Sequence, residues 1–503
     1  MRNGARKTFA WLVVSILITT CRAQSVPGPR RGGQFDFQPW LEDFGQLTAE
    51  MAAHYANLES SQRERHMDLP KLRQETETKL RQACDEQQAQ KNLRGFIKAF
   101  GDGHLELKWP KPSDQKTAGQ TSSNSTSAPK QQSLCPRLGY KRSLTPGVDF
   151  SQLPAFTSFA GGDANWFPAG ILQLQDRTKL GVIRIALFSE HAFPEACELA
   201  VRKLHLANSR ECDTQCENSV ERETADQLTA AIVRRSTELQ AAGAAAILVD
   251  ITNNGGGSDW VEAPPRVLSR VPLHESRLAF LKHEHWTKQL QEQLQNIETD
   301  LKNNSTPKRV LQEASARLRS GIARSQESCD RTRVWTDGTL DCSSLISDVL
   351  FTGGILPYAP PGSFASLESK TTLFHPLRYS YRESTERPPL YVLVDRETWS
   401  ADEYFAAILQ DNKAATIVGE LTGGTGCGYT NGGIPAALRH SHAVVRMPDC
   451  VRLGKDGSDE VNGVIPDILV PRGPARHGLH ESRKTVPCSE RALTAENSKL
   501  LSH

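Results

Sequence analysis

No apolar run in this 503-residue chain reaches the ~20 residues that a membrane-spanning helix needs, which argues against an integral membrane protein. An excess of one charge is missing too. Sixty basic residues face 58 acidic ones, a net charge of +2, so there is no large field to draw in nucleic acid or an anionic membrane. The turn at residues 253–257 is rich in glycine, yet it lacks the Lys and Ser/Thr of a phosphate-cradling loop and the G-x-G-x-x-G spacing of a dinucleotide site. Nucleotide binding is therefore poorly supported. Cys212 and Cys216 sit four apart like half a zinc site, but no second Cys/His pair with ligand spacing lies nearby, so a metal is the weaker reading. No cofactor is implied.

What is present begins with an export signal. Arg2, Arg6 and Lys7 precede the apolar run 9–18 and the small-residue pattern Cys21-Arg22-Ala23. Cleavage after Ala23 is the preferred reading, and lipid attachment at Cys21 is the alternative. Either way the protein is exported, to a periplasm or the medium. Removing the signal leaves ten cysteines, an even number that suggests disulfides in an oxidising compartment. Cys427 with Cys450 and Cys329 with Cys342 are the short-range pairings to test first.

The order of patterns along the chain suggests an α/β protein with additions. Residues 24–110 place apolar side chains at three- and four-residue spacing, a helical N-terminal domain that ends in the turn Gly101-Asp102-Gly103-His104 and the alternating strand LELKW. Residues 111–145 read as a flexible linker, 146–261 as the first part of the core, 351–472 as the second part, and 473–503 as a polar tail. Between the two core parts, residues 262–350 look like a helical insertion, with helices at 272–302 and 308–325, and offer a lid or a partner surface.

Residues 391–429 organise the rest. A buried strand at 391–394 leads to a helix at 401–410, with Ser400 opening the sequence S-A-D-E at its start. Such a serine either caps the helix or presents a hydroxyl where backbone N–H groups and the dipole favour developing negative charge. A second anchor is the strand at 244–250, whose C-terminal turn of glycines could bring backbone N–H groups close to a substrate as an oxyanion hole. Acyl transfer needs a nucleophile, a base, a group that orients the base and oxyanion donors. The candidates are Ser400, His104, Glu460, and the N–H groups of Gly256 and Ala401, with Gly255 or Gly257 able to replace Gly256.

Spacing alone does not select those residues from the other serines, histidines and acids. The pieces GDGHLEL, LGVIRIALF, AAILVDITNNGGG, YVLVDRETWSADEYFAAIL, ATIVGELTGGTG and EVNGVIPDILV, in that order, resemble the family of C-terminal-processing (tail-specific) and tricorn-type serine peptidases. The resemblance implies a crotonase-like α/β core, a polypeptide substrate, and a nucleophile at the start of the helix after its strand, matching Ser400. Members that use a Ser–Lys dyad carry the lysine in a G-E-x-T-x-G-K-G loop, and here Thr425 stands in its place. The Ser–His–Glu branch instead has a D-G-H turn and an acid three residues before G-V-x-P-D, matching His104 and Glu460. No PDZ segment is evident between the N-terminal helices and the core. Two other uses of these residues stay open at this point: a non-catalytic module that binds a ligand or partner, and an esterase.

Overall fold

A computed structural model describes residues 35–110, 133–207, 211–303 and 305–470. The expected signal at 1–23 with Cys21, the tail at 473–503, and 111–132 of the expected linker lie outside the described residues. The linker is shorter than its composition suggests. Residues Leu134–Arg137 form a helical turn with Leu134 and Cys135 buried, and Cys135 is joined to Cys197 by a disulfide.

The central sheet has seven strands side by side: Ile468–Leu469, Ala415–Gly419, Leu390–Val394, Ala246–Asp250, Lys179–Arg184, Ala169–Gln173 and Phe156–Ser158. The first five run parallel; Ala169–Gln173 pairs antiparallel with Lys179–Arg184, and Phe156–Ser158 antiparallel with Ala169–Gln173. Every residue of Leu390–Val394 and Ala246–Asp250 is buried, as their continuous apolar runs require of strands covered on both faces. On one face, Leu228 and Ile232 of helix Thr214–Ala241 meet Phe405 and Leu409 of helix Ala401–Asp411 in one core with Val249 and Val392. Because the five parallel strands share a direction, the turns after Asp250, Val394 and Gly419 all emerge at one edge, where open α/β sheets place their sites.

Part of the insertion is not helical. Residues 277–281, expected within a helix at 272–302, form the strand Arg277–Leu281, which lies between Cys450–Arg452 and Leu345–Phe351 in an antiparallel sheet. Both partner strands are distant in sequence, and periodicity within one window does not register them. The helices that follow are Glu284–Lys302 and Lys308–Ser325, the second with the bounds expected.

The N-terminal helices are Gln38–His54, Leu58–Arg63, Leu69–Arg81 and Glu86–Lys98, the last two capped by Asp68 and Asp85, whose side chains accept the N–H groups of Lys71 and Gln88. Their core holds Phe44, Leu47, Phe96 and Phe100 together with Trp335 of the insertion and Val445, so these helices fold against the rest of the chain. The strand Glu106–Lys108 then pairs antiparallel with Val444–Arg446. That pairing carries residue 104 to the far end of the sequence.

Both short-range disulfides form, Cys427–Cys450 and Cys329–Cys342. Cys212 and Cys216 are likewise joined, which replaces the half zinc site by a staple on the first turn of helix Thr214–Ala241, and Cys84 is also disulfide-bonded. Among the described residues no helix is long and apolar enough to cross a membrane, and no group of three or more His, Cys, Asp or Glu is placed to hold a metal ion.

Two buried carboxyls make stability depend on pH. Burial pushes Glu190 up to about 7 against the pull of its bond from Ser258 Oγ, and burial pushes Asp459 up to about 7 as well. The folded protein holds these protons where the unfolded chain has released them. Their contribution is therefore full below the ordinary carboxylate range and lost as pH rises through about 7. Scanning calorimetry should show the melting temperature falling between about pH 5 and pH 8, with a shallower fall in Glu190→Gln. A melting temperature that rises across that range would overturn the assignment.

Candidate active site

Ser400 is strained. Its φ of 58° and ψ of −111° lie where a residue with a side chain rarely sits, at a cost of ~1–3 kcal/mol. A helix cap does not need such a backbone, since capping residues sit comfortably in extended conformations. The turn is held from outside the helix. Glu403, fully buried, accepts the Ser400 N–H at 3.0 Å, the N–H groups of Gly424 at 2.6 Å and Thr425 at 2.8 Å, and the hydroxyls of Thr422 at 2.6 Å and Thr425 at 2.5 Å. A carboxylate with five donors fixes the Ser400 turn against the loop after Gly419. The S-A-D-E sequence signals only the first of those five bonds.

Thr425 connects this turn to His104. Its Oγ1 lies 2.5 Å from Ser400 N, and its carbonyl oxygen lies 2.9 Å from His104 Nδ1. A carbonyl can only accept, so Nδ1 carries the proton and Nε2 is left with its lone pair. The backbone of the histidine turn is also fixed. Buried Asp102 accepts the His104 N–H at 2.9 Å, the Tyr55 hydroxyl at 2.9 Å and Asn57 Nδ2 at 2.8 Å, while Tyr429 donates its hydroxyl to the His104 carbonyl. Burial raises the Asp102 carboxyl above its ordinary range, and these three donors pull it back. Gly103 has no room for a side chain, because a Cβ there would lie 2.5 Å from Thr425 Cγ2 and 3.1 Å from the ring of Trp399, the residue before Ser400. His104 and Ser400 therefore share one corner of the site.

Glu460 does not take the place expected for it. His104 Nδ1 is met by the Thr425 carbonyl, whereas Glu460 is paired with Arg452 Nε, and Arg452 Nη2 donates to the carbonyls of Ser400 at 2.9 Å and Gly426 at 2.7 Å. The reason is the pairing of strand Cys450–Arg452 with the insertion, which brings the partly buried Arg452 beside the acid. Burial pushes Glu460 up to about 7, against the pull of Arg452. Arg452, which pairs with this acid, in turn holds the carbonyl of Ser400.

The glycine turn also departs from expectation at one position. Gly256 lies against the serine, since a Cβ there would be 2.9 Å from Ser400 Cβ and 3.3 Å from Ala401 N. Its N–H, however, is directed into the protein and bonds to Asp402 Oδ2 at 2.9 Å and Asn254 Oδ1 at 3.2 Å. Gly255 is excluded by the preceding peptide, whose Asn254 carbonyl accepts the Trp399 N–H at 3.2 Å, so that in a trans peptide the Gly255 N–H points away from the serine turn. The Gly256 carbonyl accepts the Phe188 N–H at 3.0 Å, which turns the Gly257 N–H away from Phe188, and Gly257 is exposed. Among the described residues nothing bonds to the N–H of Gly257 or of Ala401. Gly257 must be glycine, because a Cβ would fall 1.9 Å from the Phe188 carbonyl oxygen at its φ of +154°.

The profile of peptidase family S41 matches residues 179–470. Among solved structures the chain is similar to mature CPAF complexed with lactacystin, at 14% identity over 93% of this chain and 98% of that one with a TM-score of 0.51. It is also similar to mature CPAF, at 14% identity over 93% and 97% of the two chains with a TM-score of 0.52. At such identity the likeness is one of fold. The profile match begins well after His104, so its turn lies outside the matched segment.

Proposed function

Because the chain belongs to peptidase family S41 and is a serine-type peptidase, we propose that Ser400 is its nucleophile and His104 its general base, in an exported enzyme with a crotonase-like core that cleaves polypeptides. The observation that carries this reading is Thr425, whose hydroxyl meets Ser400 N at 2.5 Å and whose carbonyl meets His104 Nδ1 at 2.9 Å. It stands where dyad members of the resembling family carry a lysine. A threonine cannot serve as the base, but here it aligns the residue that can.

In the proposed reaction His104 Nε2 takes the Ser400 hydroxyl proton as Oγ attacks the scissile carbonyl carbon. The charge that develops on the carbonyl oxygen is met by the N–H groups of Ala401 and Gly257, the latter in place of Gly256. The protonated imidazole gives its proton to the leaving amine, and water, activated by the same Nε2, releases the acyl group. Glu460 supports the serine through Arg452. The strained backbone of Ser400 places it at the helix start, where the dipole favours the negative charge of the transition state. The disulfides fit an oxidising compartment, which supports the export reading. The insertion at 262–350 remains the proposed surface for a partner.

The test is to treat the folded, signal-free protein with a fluorophosphonate probe and locate the adduct by peptide mass spectrometry, with a quenched peptide substrate read in parallel. An adduct on Ser400 and peptide-bond cleavage are expected. An unlabelled, folded protein, or an adduct on another serine, would sink the reading.

The disulfide Cys427–Cys450 gives a second expected outcome. It sits between Gly426, whose carbonyl accepts from Arg452, and Gly428, where a Cβ would lie 3.3 Å from His104 Cε1. Cys427→Ser with Cys450→Ser should lower kcat at least about tenfold and cost about 3 kcal/mol of stability. Cys329→Ser with Cys342→Ser should cost a similar amount of stability and leave kcat within about twofold. Equal losses of kcat in the two variants would separate the loop's staple from catalysis.

A further inference from the structure

Asp402 is a fully buried carboxyl that the reaction proposed above does not use. It stands two residues after the nucleophile, its Oδ2 accepts the Gly256 N–H at 2.9 Å, and its Oδ1 is buried with no hydrogen-bond partner among the described residues. Helix starts attract acids through the dipole, and Asp402 could be no more than that. Two features argue for more. The bond it makes leaves its own helix and reaches a glycine whose Cα carries no room for a side chain beside Ser400, at a φ of +104°. The same N–H also bonds to Asn254 Oδ1 at 3.2 Å within the turn, so Asp402 is the acceptor that ties the glycine turn to the helix carrying Ala401.

Four hydrogen bonds orient the turn. The Trp399 N–H holds the Asn254 carbonyl, the Gly256 N–H is shared between Asp402 Oδ2 at 2.9 Å and Asn254 Oδ1 at 3.2 Å, and the Phe188 N–H holds the Gly256 carbonyl and with it the peptide that carries the Gly257 N–H. The Asn254 bond closes within the turn, whereas Asp402 is the side chain that ties the turn to the helix carrying Ala401. Without it the Gly256 N–H keeps only the longer bond, and the turn is freer to shift relative to Ser400 and Ala401.

We infer that Asp402 is the positioning residue of the oxyanion hole: by accepting the Gly256 N–H it keeps the Gly257 N–H, beside that of Ala401, aimed at the substrate's carbonyl oxygen. The inference rests on Ser400 being the nucleophile. Burial raises the Asp402 carboxyl well above its ordinary range. An asparagine, whose amide oxygen accepts in the same way, should substitute for it.

The experiment compares wild type with Asp402→Asn, Asp402→Ala and Asp402→Leu, using a peptide substrate, a peptide aldehyde whose adduct places charge on the same oxygen, and the cleaved peptide product. Asp402→Ala and Asp402→Leu are expected to lose about 10²-fold in kcat with KM within about threefold of wild type, and to bind the aldehyde weaker by a similar factor. Product affinity should not move, and Asp402→Asn should keep kcat within about threefold. A residue that merely stabilised the helix would shift the melting temperature without that split. Unchanged kcat in Asp402→Ala, parallel changes in kcat and KM, or an Asp402→Asn variant as impaired as Asp402→Ala would each overturn the inference. If neither Asp402→Ala nor Asp402→Leu folds while Asp402→Asn does, Asp402 is a stability element and the inference also fails. Failure of the nucleophile reading is separate and shows in wild type, as absence of labelling at Ser400 and of peptide cleavage.

Discussion

Ser400→Ala is expected to lose all fluorophosphonate labelling and at least about 10⁴-fold in kcat/KM, some 5.5 kcal/mol of transition-state stabilisation, while staying folded. Removing the attacking oxygen leaves only binding and the oxyanion donors, and what they achieve alone is a small part of the whole. A capping serine predicts a different result. Its loss would cost about 0.5–2 kcal/mol of stability and leave turnover intact. Ser400→Gly sharpens the contrast, because glycine adopts the φ of 58° without the penalty that any side chain meets there. That variant should be inactive, yet melt at or above the wild-type temperature in calorimetry. A glycine variant that is both inactive and destabilised would favour the capping role, and an active alanine variant would remove Ser400 from the chemistry.

The parts of this site that the sequence discloses are those whose physics is local. Buried parallel strands read as continuous apolar runs, so Leu390–Val394 and Ala246–Asp250 are evident, and with them the turns that follow. A serine opening S-A-D-E marks a helix start whatever its role. The bends and pairings that fix the site are of another kind. Thr425 reads in sequence only as a missing lysine, and its part in aligning His104 depends on a backbone carbonyl, which carries no residue signature. Asp402 and Gly256 are 146 positions apart in the chain, and nothing in either neighbourhood announces the bond between them.

The surroundings of Glu460 have a similar origin. An acid spaced three residues before G-V-x-P-D was expected to orient the histidine, and the motif itself is intact. Its position relative to His104 depends instead on Arg452, and Arg452 depends on the strand Arg277–Leu281, which the apolar spacing of residues 272–302 disguised as helix. One error of secondary structure thus concealed the competing partner. A partly buried guanidinium takes a nearby carboxylate because leaving either charge unpaired away from water is costly.

His104→Ala should reduce kcat about 10⁴-fold, a loss comparable to that of the serine, although the histidine lies some 300 residues upstream and outside the segment that matches the family profile. The reason is that no other base is at hand among the described residues. Thr425 cannot accept the proton, Glu403 is saturated by five donors, and Glu460 is paired with Arg452. With the imidazole gone, the Ser400 hydroxyl keeps its proton at neutral pH and attack stalls. Added imidazole should restore part of the rate in His104→Ala by occupying the space that the side chain leaves beside Gly428, and it should not restore Ser400→Ala. The backbone support of the histidine predicts a graded effect. Tyr55→Phe and Asn57→Ala each remove one donor from Asp102, and each should lower kcat by roughly tenfold without changing KM, because they loosen the turn and leave substrate contacts in place. His104→Ala with more than about a tenth of wild-type turnover would show that the proton leaves by another route. Stopped-flow measurement of the acylation step would then distinguish a water relay from a different base.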